Sequence, residues 1–250
     1  MLRTENVTKK YGQQTAVNGV SLEIKDNAVT VIVGESGSGK STLARMLSLI
    51  EKPDSGRILL DDSNSDLISA KTDRRLIQLV MQDAASSLDP HQSARQVIDE
   101  PLKLLIKMDK AQRARRIEEL CDMVKFPKEK LKNKVTELSG GQQKRLCIAR
   151  ALAAEPKYII FDEAFSGLDV TLRRCILTML KKLREKLETG FLIITHDLDT
   201  AMFMADRIYV MRSGNIIETL DRPKSFLDFK EDYSKELVRA AEYKRQALQI

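Results

Sequence analysis

The segment Gly34–Ser41 reads G-x-x-x-x-G-K-S, the spacing of a phosphate-binding loop. It follows the apolar run Val29–Val33 and precedes a predicted helix that extends to about Ile50. Glycines let backbone N–H groups approach phosphate oxygens closely, and the helix that begins near Lys40 directs its positive end at the same anion. Lys40 would contact the β- and γ-phosphates, and the Ser41 hydroxyl would be a ligand for Mg²⁺. The segment therefore predicts a site for a nucleoside triphosphate.

Two carboxylates and a histidine follow other apolar strands. Tyr158–Phe161 leads into Asp162 and Glu163, and Phe191–Thr195 leads into His196. Because ligands bind beyond the carboxyl ends of parallel strands, we expect these three side chains beside the phosphate loop. Asp162 would hold Mg²⁺, Glu163 would polarise or deprotonate the attacking water, and His196 would donate a hydrogen bond to the γ-phosphate. The simpler alternative is that the acids are solvated strand ends and the histidine is structural.

A second glycine-rich segment, Leu138–Gln142, lies at another predicted helix start. Ser139 is a suitable N-cap and Gln142 occupies the reciprocal capping-box position, so a well-capped helix is the simplest interpretation. Two phosphate-binding helix starts in one chain instead suggest two half-sites that meet across a dimer.

The elements that must position these residues predict an α/β fold. Val29–Val33 is a continuous Val/Ile-rich run, which is typical of a strand buried on both faces in a parallel sheet covered by helices. Extended segments at Arg3–Thr8 and Ala16–Ile24 precede it, and helical periodicity dominates from about Ala84 to Leu152. Further predicted elements are a strand at 57–60, a helix at 172–187, a hairpin at 207–219 and a helical tail after 232.

Composition describes an ordinary soluble protein, with 250 residues, 42% of them hydrophobic and 31% charged. No apolar run approaches the roughly 18–20 residues of a membrane span, the N-terminus does not resemble a secretory signal, and the three cysteines form no disulfide framework. The net charge of +6 is concentrated between Lys103 and Lys134, where acidic residues are interspersed. A solvated helical face is favoured there, and we expect no nucleic-acid partner.

Taken in order, the motifs resemble those of the ATP-binding cassette (ABC) family over nearly the whole chain. GESGSGKS and YIIFDE resemble its Walker A and Walker B motifs, and LSGGQQKR resembles its signature motif. Ser166–Asp169 is similar to the D-loop, Gln82 to the Q-loop glutamine, His196 to the switch histidine and Tyr11 to the A-loop aromatic. Around Gln82, the sequences QDAASSLDP and VIDEPL resemble the peptide/nickel importer branch, with Ala84 where proline is usual.

The resemblance implies an α/β fold: a P-loop NTPase (RecA-like) core with an N-terminal antiparallel β subdomain and an α-helical subdomain. A single ATP-binding domain would span 1–250. Its nucleotide-binding core with the β subdomain would occupy 1–83 and 153–220, the helical subdomain with the signature motif 84–152, and a C-terminal helical tail 221–250. ATP would lie in a head-to-tail dimer, between Walker A of one subunit and Leu138–Gln142 of the other.

The resemblance also implies roles for individual residues. Gln82, Glu163 and His196 would be catalytic, and Ser41, Gln82 and Asp162 would hold Mg²⁺. The residues implied for ATP binding are Tyr11, Gly34, Glu35, Ser36, Gly37, Ser38, Gly39, Lys40, Ser41, Thr42, Ser139, Gly140, Gly141, Gln142 and Asp169.

The expected function is the ATP-hydrolysing subunit of an importer for peptides, nickel or metal chelates, at the cytoplasmic face of the cell membrane. Its partners would be transmembrane permease subunits, a second ABC ATPase or a second copy of this chain, and indirectly an extracytoplasmic substrate-binding protein. One alternative is a soluble ABC-family ATPase acting on ribosomes or DNA, although such proteins usually carry two cassettes or a long coiled-coil insertion. A small-molecule kinase or GTPase is another, but it gives Leu138–Gln142 no role.

Overall fold

The computed structural model describes residues 1–60 and 74–247, which belong to two compact units. One unit comprises Met1–Thr72 and Gly190–Ile250, and the other comprises Asp73–Thr189. Residues 61–73 of the predicted core and 248–250 of the predicted tail lie outside the described residues.

The described residues form the following elements in chain order. The strands are β1 (Leu2–Tyr11), β2 (Gln14–Ile24), β3 (Val29–Val33), β4 (Ser55–Leu60), β5 (Ile77–Val80), β6 (Tyr158–Asp162), β7 (Gly190–Thr195), β8 (Arg207–Arg212) and β9 (Asn215–Asp221). The α-helices are α1 (Lys40–Leu47), α2 (Ala94–Leu104), α3 (Lys110–Val124), α4 (Gly140–Ala153), α5 (Val170–Lys186), α6 (Leu198–Met204) and α7 (Asp232–Ala247).

The first unit contains the predicted antiparallel β subdomain. Its sheet has the order β2-β1-β4, and β1 pairs with β2 from Leu2 opposite Ile24 to Tyr11 opposite Gln14. Burial alternates along much of β1, as expected for a strand with one face on the core. This part of the predicted fold class is confirmed.

Four further strands of the first unit have the order β7-β3-β8-β9. β3 is parallel to both β7 and β8, and β8 and β9 form an antiparallel hairpin. Every residue of β3 and of β7 is buried. The continuous apolar runs therefore predicted these two strands correctly, since a strand covered on both faces needs no polar alternation.

Helix α1 is shorter than the sequence predicts: it ends at Leu47 instead of at about Ile50. The Ser48 hydroxyl donates to the Ala44 carbonyl at 2.8 Å, and Leu49 adopts a left-handed backbone with φ of 58°. A side-chain bond to a last-turn carbonyl followed by a left-handed residue ends a helix. Neither feature was visible in the hydrophobic pattern.

The second unit contains the predicted helical subdomain. Helices α2 and α3 both pack on α4, and their buried side chains include Val97, Ile117 and Leu146. The same unit contains the parallel pair β5–β6 and helix α5. Strand β5 was not predicted, because its four residues, IQLV, are too few to establish a pattern. None of the helices in the described part of the chain combines the length and apolar character that a membrane crossing requires.

Candidate nucleotide-binding site

The phosphate loop connects β3 to α1 in the first unit, and its glycines adopt backbones that other residues avoid. Gly39 has φ of 104°, and a Cβ atom built on it would lie 2.1 Å from the Ala16 carbonyl oxygen. A Cβ on Gly34 would lie 2.1 Å from the Met211 carbonyl oxygen. Glycine is therefore required at these positions for two reasons: the backbone conformation is unfavourable for other residues, and the neighbouring strands leave no room for a Cβ atom.

Lys40 lies across this loop and is only 5% exposed. Its Nζ donates to the Gly34 carbonyl at 2.9 Å, the Glu35 carbonyl at 2.6 Å and the Ser38 hydroxyl at 3.2 Å. These three oxygen atoms hold the ammonium group against the loop, where a bound anion would compete with them for it.

Helix α1 begins directly at the loop, with Gly39 as its N-cap and no side-chain cap. Its first turn contains no acidic residue. The positive end of the helix is thus not neutralised by a side chain of that turn, as an anion site requires. Ser38 and Thr42 are buried, Ser41 is half-buried, and Glu35, Ser36 and Gly37 are exposed.

His196 lies at the same sheet edge as the phosphate loop. The register pairs Val33 with Thr195, so Gly34 and His196 directly follow the ends of two adjacent parallel strands. Asp197 caps α6 by accepting from the Asp199 N–H at 3.0 Å, which fixes the chain just after the histidine. The backbone register therefore places His196 at the sheet edge where the phosphate loop begins.

Tyr11 lies at the end of β1 and is 42% exposed. Its hydroxyl donates to Glu51 Oε1 at 2.5 Å and accepts from Arg45 Nη2 at 3.3 Å. Arg45 also pairs with Glu51 at 3.2 Å. Although burial raises the pKa of Glu51, hydrogen bonds from Tyr11 and Arg45 and the charge of Lys9 outweigh it and lower that pKa. Because Arg45 belongs to α1, the tyrosine is connected to the helix that follows the phosphate loop.

A further tyrosine contacts the loop, and sequence reasoning missed it. The Glu35 N–H donates to the Tyr233 hydroxyl of α7 at 3.1 Å, and Tyr233 is 5% exposed. The Arg212 guanidinium lies 4.6 Å from the centre of its ring. Burial raises the pKa of Tyr233, so its hydroxyl stays neutral. No local motif marks this residue, because the contact spans 198 positions of sequence.

The second unit brings Gln82, Asp162 and Glu163 to one strand edge. β5 and β6 are parallel, with Val80 opposite Phe161. Gln82 lies two residues beyond Val80, and Asp162 and Glu163 directly follow Phe161. Gln82 is exposed and both acids are half-buried. An amide and two carboxylates at the carboxyl ends of parallel strands are suited to a hydrated divalent cation and to proton transfer.

Glu163 has an unusual backbone, with φ of 49°. Its carbonyl accepts from the Ser166 N–H at 3.1 Å and from the Ser166 hydroxyl at 2.6 Å. A left-handed non-glycine residue is uncommon and is found most often where the surrounding structure requires it, such as a functional site. Asp169, at the end of this turn, caps α5 by accepting from the Leu172 N–H at 2.8 Å.

The LSGGQ segment begins α4 with the predicted capping box. The Ser139 hydroxyl accepts from the Gln142 N–H at 3.3 Å, and the Ser139 N–H donates to Gln142 Oε1 at 3.0 Å. Ser139 and Gly140 are exposed, whereas Gly141 packs against Leu172, where an added Cβ would lie 2.8 Å from a methyl carbon. The predicted capping box is therefore present, and Ser139 and Gly140 stay exposed at the start of the helix.

Residues of the basic segment between Lys103 and Lys134, in the second unit, form ion pairs with nearby acids. Arg113 pairs with Asp99 at 2.7 Å, and Lys128 pairs with Asp122 at 2.8 Å. The hydrogen bond to Asp122 raises the pKa of Lys128. These contacts fit a solvated helical surface with internal charge compensation.

The predicted residues thus form one group in each unit. The first unit places His196 beside the start of the phosphate loop and connects Tyr11 to helix α1 through Arg45, and the second brings Gln82 to the same edge as Asp162 and Glu163. Ser139–Gln142 begins α4 and Asp169 caps α5, both also in the second unit.

Residues 17–166, more than half of the chain, match the ABC transporter family. The chain therefore belongs to the ABC transporter family, as the motifs predicted, and it is an ATPase cassette of that family.

Relatives and solved structures agree with this assignment. The chain is 38% identical over 213 residues to the nickel import ATP-binding protein NikE of Escherichia coli strain K12, a match that covers 84% of this chain and 80% of NikE. NikE of Shigella boydii serotype 4 is 39% identical over the same lengths. These matches confirm the predicted resemblance to the nickel importer branch.

Two solved ABC cassettes share the fold. The dimeric structure of MJ0796, a bacterial ABC transporter cassette, has a TM-score of 0.77 and 30% identity, and the match covers 89% of this chain and 99% of that one. The cbiO1 protein of Clostridium perfringens, part of the ABC transporter complex cbiONQ, has a TM-score of 0.81 and 29% identity, covering 99% of this chain and 96% of that one. The predicted fold class is confirmed.

Proposed function

We propose that this chain is the ATP-hydrolysing subunit of an importer, and that the cargo is nickel, a metal chelate or a peptide. The observation that carries the proposal is the 38–39% identity to nickel import ATP-binding proteins over 84% of the chain. Every residue type that the phosphate loop, the strand ends and the signature segment need for ATP chemistry is present. The ATPase therefore has the means to energise transport, and the relatives indicate which cargo to test first.

Mg²⁺ fits the proposed site by the chemistry of its donors. Ser41, Gln82 and Asp162 offer hydroxyl, amide and carboxylate oxygens, which are the hard ligands that Mg²⁺ prefers. Within the described residues, no cluster of three or more His, Cys, Asp or Glu forms an all-protein metal site. A few protein oxygens that supplement substrate phosphates are the usual arrangement for this ion, which supplies charge neutralisation to the phosphates when bound.

Several residues of the chain have distinct roles in ATP hydrolysis, and the chemistry of each side chain determines its role. Lys40 exchanges its loop acceptors for phosphate oxygens and neutralises charge there. Glu163 accepts a proton from the attacking water, and His196 donates a hydrogen bond where charge develops on the γ-phosphate. Tyr11 stacks on the adenine, and its bond to Glu51 fixes the ring's orientation.

The signature segment serves the opposite subunit in this proposal. Ser139 and Gly140 are exposed at the start of α4, so the positive end of that helix is available to a phosphate of a second molecule. The solved MJ0796 cassette is dimeric, which supports a dimer here. The second subunit is a related ABC ATPase or another copy of this chain.

The remaining partners are membrane proteins. The helical subdomain, proposed to span 84–152, transmits the motion of the ATPase to transmembrane permease subunits at the cytoplasmic face of the cell membrane. An extracytoplasmic substrate-binding protein delivers the cargo to those permeases. The description of cbiO1 as part of the complex cbiONQ supports an assembly of this kind.

The test is purification of the tagged full-length chain from gently solubilised membranes of its native host, followed by identification of its partners. Two permease subunits with one or two ABC ATPases are expected, and uptake of radioactive nickel or labelled peptide should be lost in cells that carry Glu163→Gln. Ribosomes or DNA-repair proteins in place of permeases would refute the importer. Undiminished nickel and peptide uptake in the Glu163→Gln cells would refute the cargo.

A further inference from the structure

Helix α4, which begins with the signature segment, also holds the backbone around Gln82. Lys144 of α4 is 3% exposed, and its Nζ donates to the Gln82 carbonyl at 2.7 Å and to the Met81 carbonyl at 3.1 Å. A buried ammonium is tolerated where oxygen acceptors replace its water, and here those acceptors belong to Gln82 and its neighbour.

Two more side chains of the same helix contact the segment after Gln82. Cys147 and Arg150 follow Lys144 at intervals of three residues, so all three share a helix face. Arg150 Nη1 donates to the Ser87 carbonyl at 2.6 Å, and Cys147 Sγ lies 3.5 Å from the Ser87 hydroxyl. One face of α4 therefore contacts residues 81–87 at both ends.

The opposite side of this segment is open to solvent. Most of its residues are exposed: Met81, Gln82, Asp83, Ala85 and Ser86. Ala84 is buried, and its carbonyl accepts from the Ser87 hydroxyl at 2.9 Å and lies 3.9 Å from Cys147 Sγ. Because most of this segment is exposed, its position depends on the residues that it packs against, and these lie on the face of α4 that carries Lys144.

We propose that Lys144 is a positioning residue for Gln82. By donating to the Gln82 carbonyl, Lys144 fixes the backbone from which the Gln82 side chain extends. It also couples the position of this backbone to that of α4. A shift of α4 would then change the position of Gln82 together with that of Ser139. This inference rests on the role in Mg²⁺-dependent ATP hydrolysis proposed above for Gln82.

The first test is Lys144→Met in the full-length chain, which keeps the apolar stem and removes the donors. Because methionine keeps most of the apolar stem of Lys144, and the segment that this stem supports lies at the surface, we expect the variant to fold. We expect kcat to fall about tenfold or more and the Mg²⁺ concentration for half-maximal activity to rise, since misplaced groups lose catalysis steeply. Nucleotide affinity without Mg²⁺ should stay unchanged. Lys144→Arg should restore part of the loss, and Lys110→Met, at an exposed position of α3, is the control.

The decisive test repeats Lys144→Met in the Gln82→Ala background. If Lys144 acts through Gln82, it should add less than about twofold there, because coupled residues are not additive. An equal effect of Lys144→Met in both backgrounds would overturn the inference while leaving the role of Gln82 intact. Gln82→Ala with unchanged kcat and Mg²⁺ dependence would refute the proposed role of Gln82, and the inference with it.

A second variant keeps the inference testable if Lys144→Met does not fold. Arg150→Met removes the contact to Ser87, at the other end of the segment. Faster hydrogen exchange of residues 82–87 and a smaller shift of the Mg²⁺ dependence in the same direction would support the inference. Unchanged exchange and unchanged Mg²⁺ dependence would overturn it.

Discussion

Tyr233→Phe tests whether the C-terminal helix α7 supports the phosphate loop. The substitution removes only the hydroxyl that accepts from the Glu35 N–H at 3.1 Å. The ring stays, and so does its contact with Arg212 at 4.6 Å. Any change in nucleotide binding is therefore attributable to one hydrogen bond on the loop backbone.

The magnitude follows from the kind of bond that is lost. A neutral hydrogen bond contributes about 0.5–1.5 kcal/mol net. If this energy orders the loop before ATP binds, its loss raises the Kd for ATP by about two- to twelvefold. The value of kcat should change less, because bound phosphates restore the loop through Lys40 and the α1 N-terminus. Tyr233→Ala would also remove a buried ring and lower the free energy of unfolding by about 3–5 kcal/mol.

The assay is nucleotide binding by fluorescence, combined with steady-state ATP hydrolysis and thermal unfolding of each variant. Tyr243→Phe is the matched control, since Tyr243 belongs to the same helix and is 74% exposed. An unchanged Kd for ATP in Tyr233→Phe, or an equal change in Tyr243→Phe, would refute the hypothesis that α7 stabilises the phosphate loop. A fall in kcat without a change in Kd would also contradict the reasoning.

Other predictions concern the proposed catalytic residues. Glu163→Gln should retain ATP binding and lose about 10²–10³-fold in hydrolysis, the scale of a lost general base; wild-type turnover in a hydrolysis assay would exclude that role. Ser139→Ala should retain ATP binding but lose turnover, and the lost cap should lower the free energy of unfolding by about 0.5–2 kcal/mol. If a melting experiment shows that the variant is unfolded under the assay conditions, the loss of turnover would mean that Ser139 only caps α4. Tyr11→Ala should weaken adenine nucleotide binding by about 1–3 kcal/mol, measured as a Kd, whereas Tyr11→Phe keeps the ring and should lose less.

The sequence predicted the strands that are buried on both faces better than the other elements. Val29–Val33 matches β3 residue for residue, because a strand covered by helices must be apolar throughout. Strand β5 was not predicted, because it has only four residues and the polar Gln78 interrupts them. Such a short, mixed pattern does not distinguish a strand from a loop. The end of α1 was misplaced because Leu49 is an apolar residue in a left-handed conformation, which a hydrophobic pattern cannot show.

The residues of the candidate site were predictable where a motif carries its own chemistry. The glycines and Lys40 of the phosphate loop are such a motif, because their spacing alone specifies the turn and the cation. Tyr233 and Lys144 were not predicted, because each acts on a backbone group far away in sequence. A tyrosine or a lysine on a helix has many ordinary roles, so only the folded chain reveals which backbone group it contacts.

The phosphate loop shows why a motif is only part of a site. The Gly214 N–H, in the turn between β8 and β9, donates to the Ser38 carbonyl at 2.9 Å, and the Gly214 carbonyl accepts from the Asn18 N–H at the same distance. The loop is thus bonded to α7 at Glu35 and to the β8–β9 turn at Ser38. Because a loop held at two points loses less entropy when it binds an anion, these distant contacts contribute to affinity without touching the nucleotide. Substitutions in the β8–β9 turn and in α7 should therefore change ATP binding even though no nucleotide motif includes them.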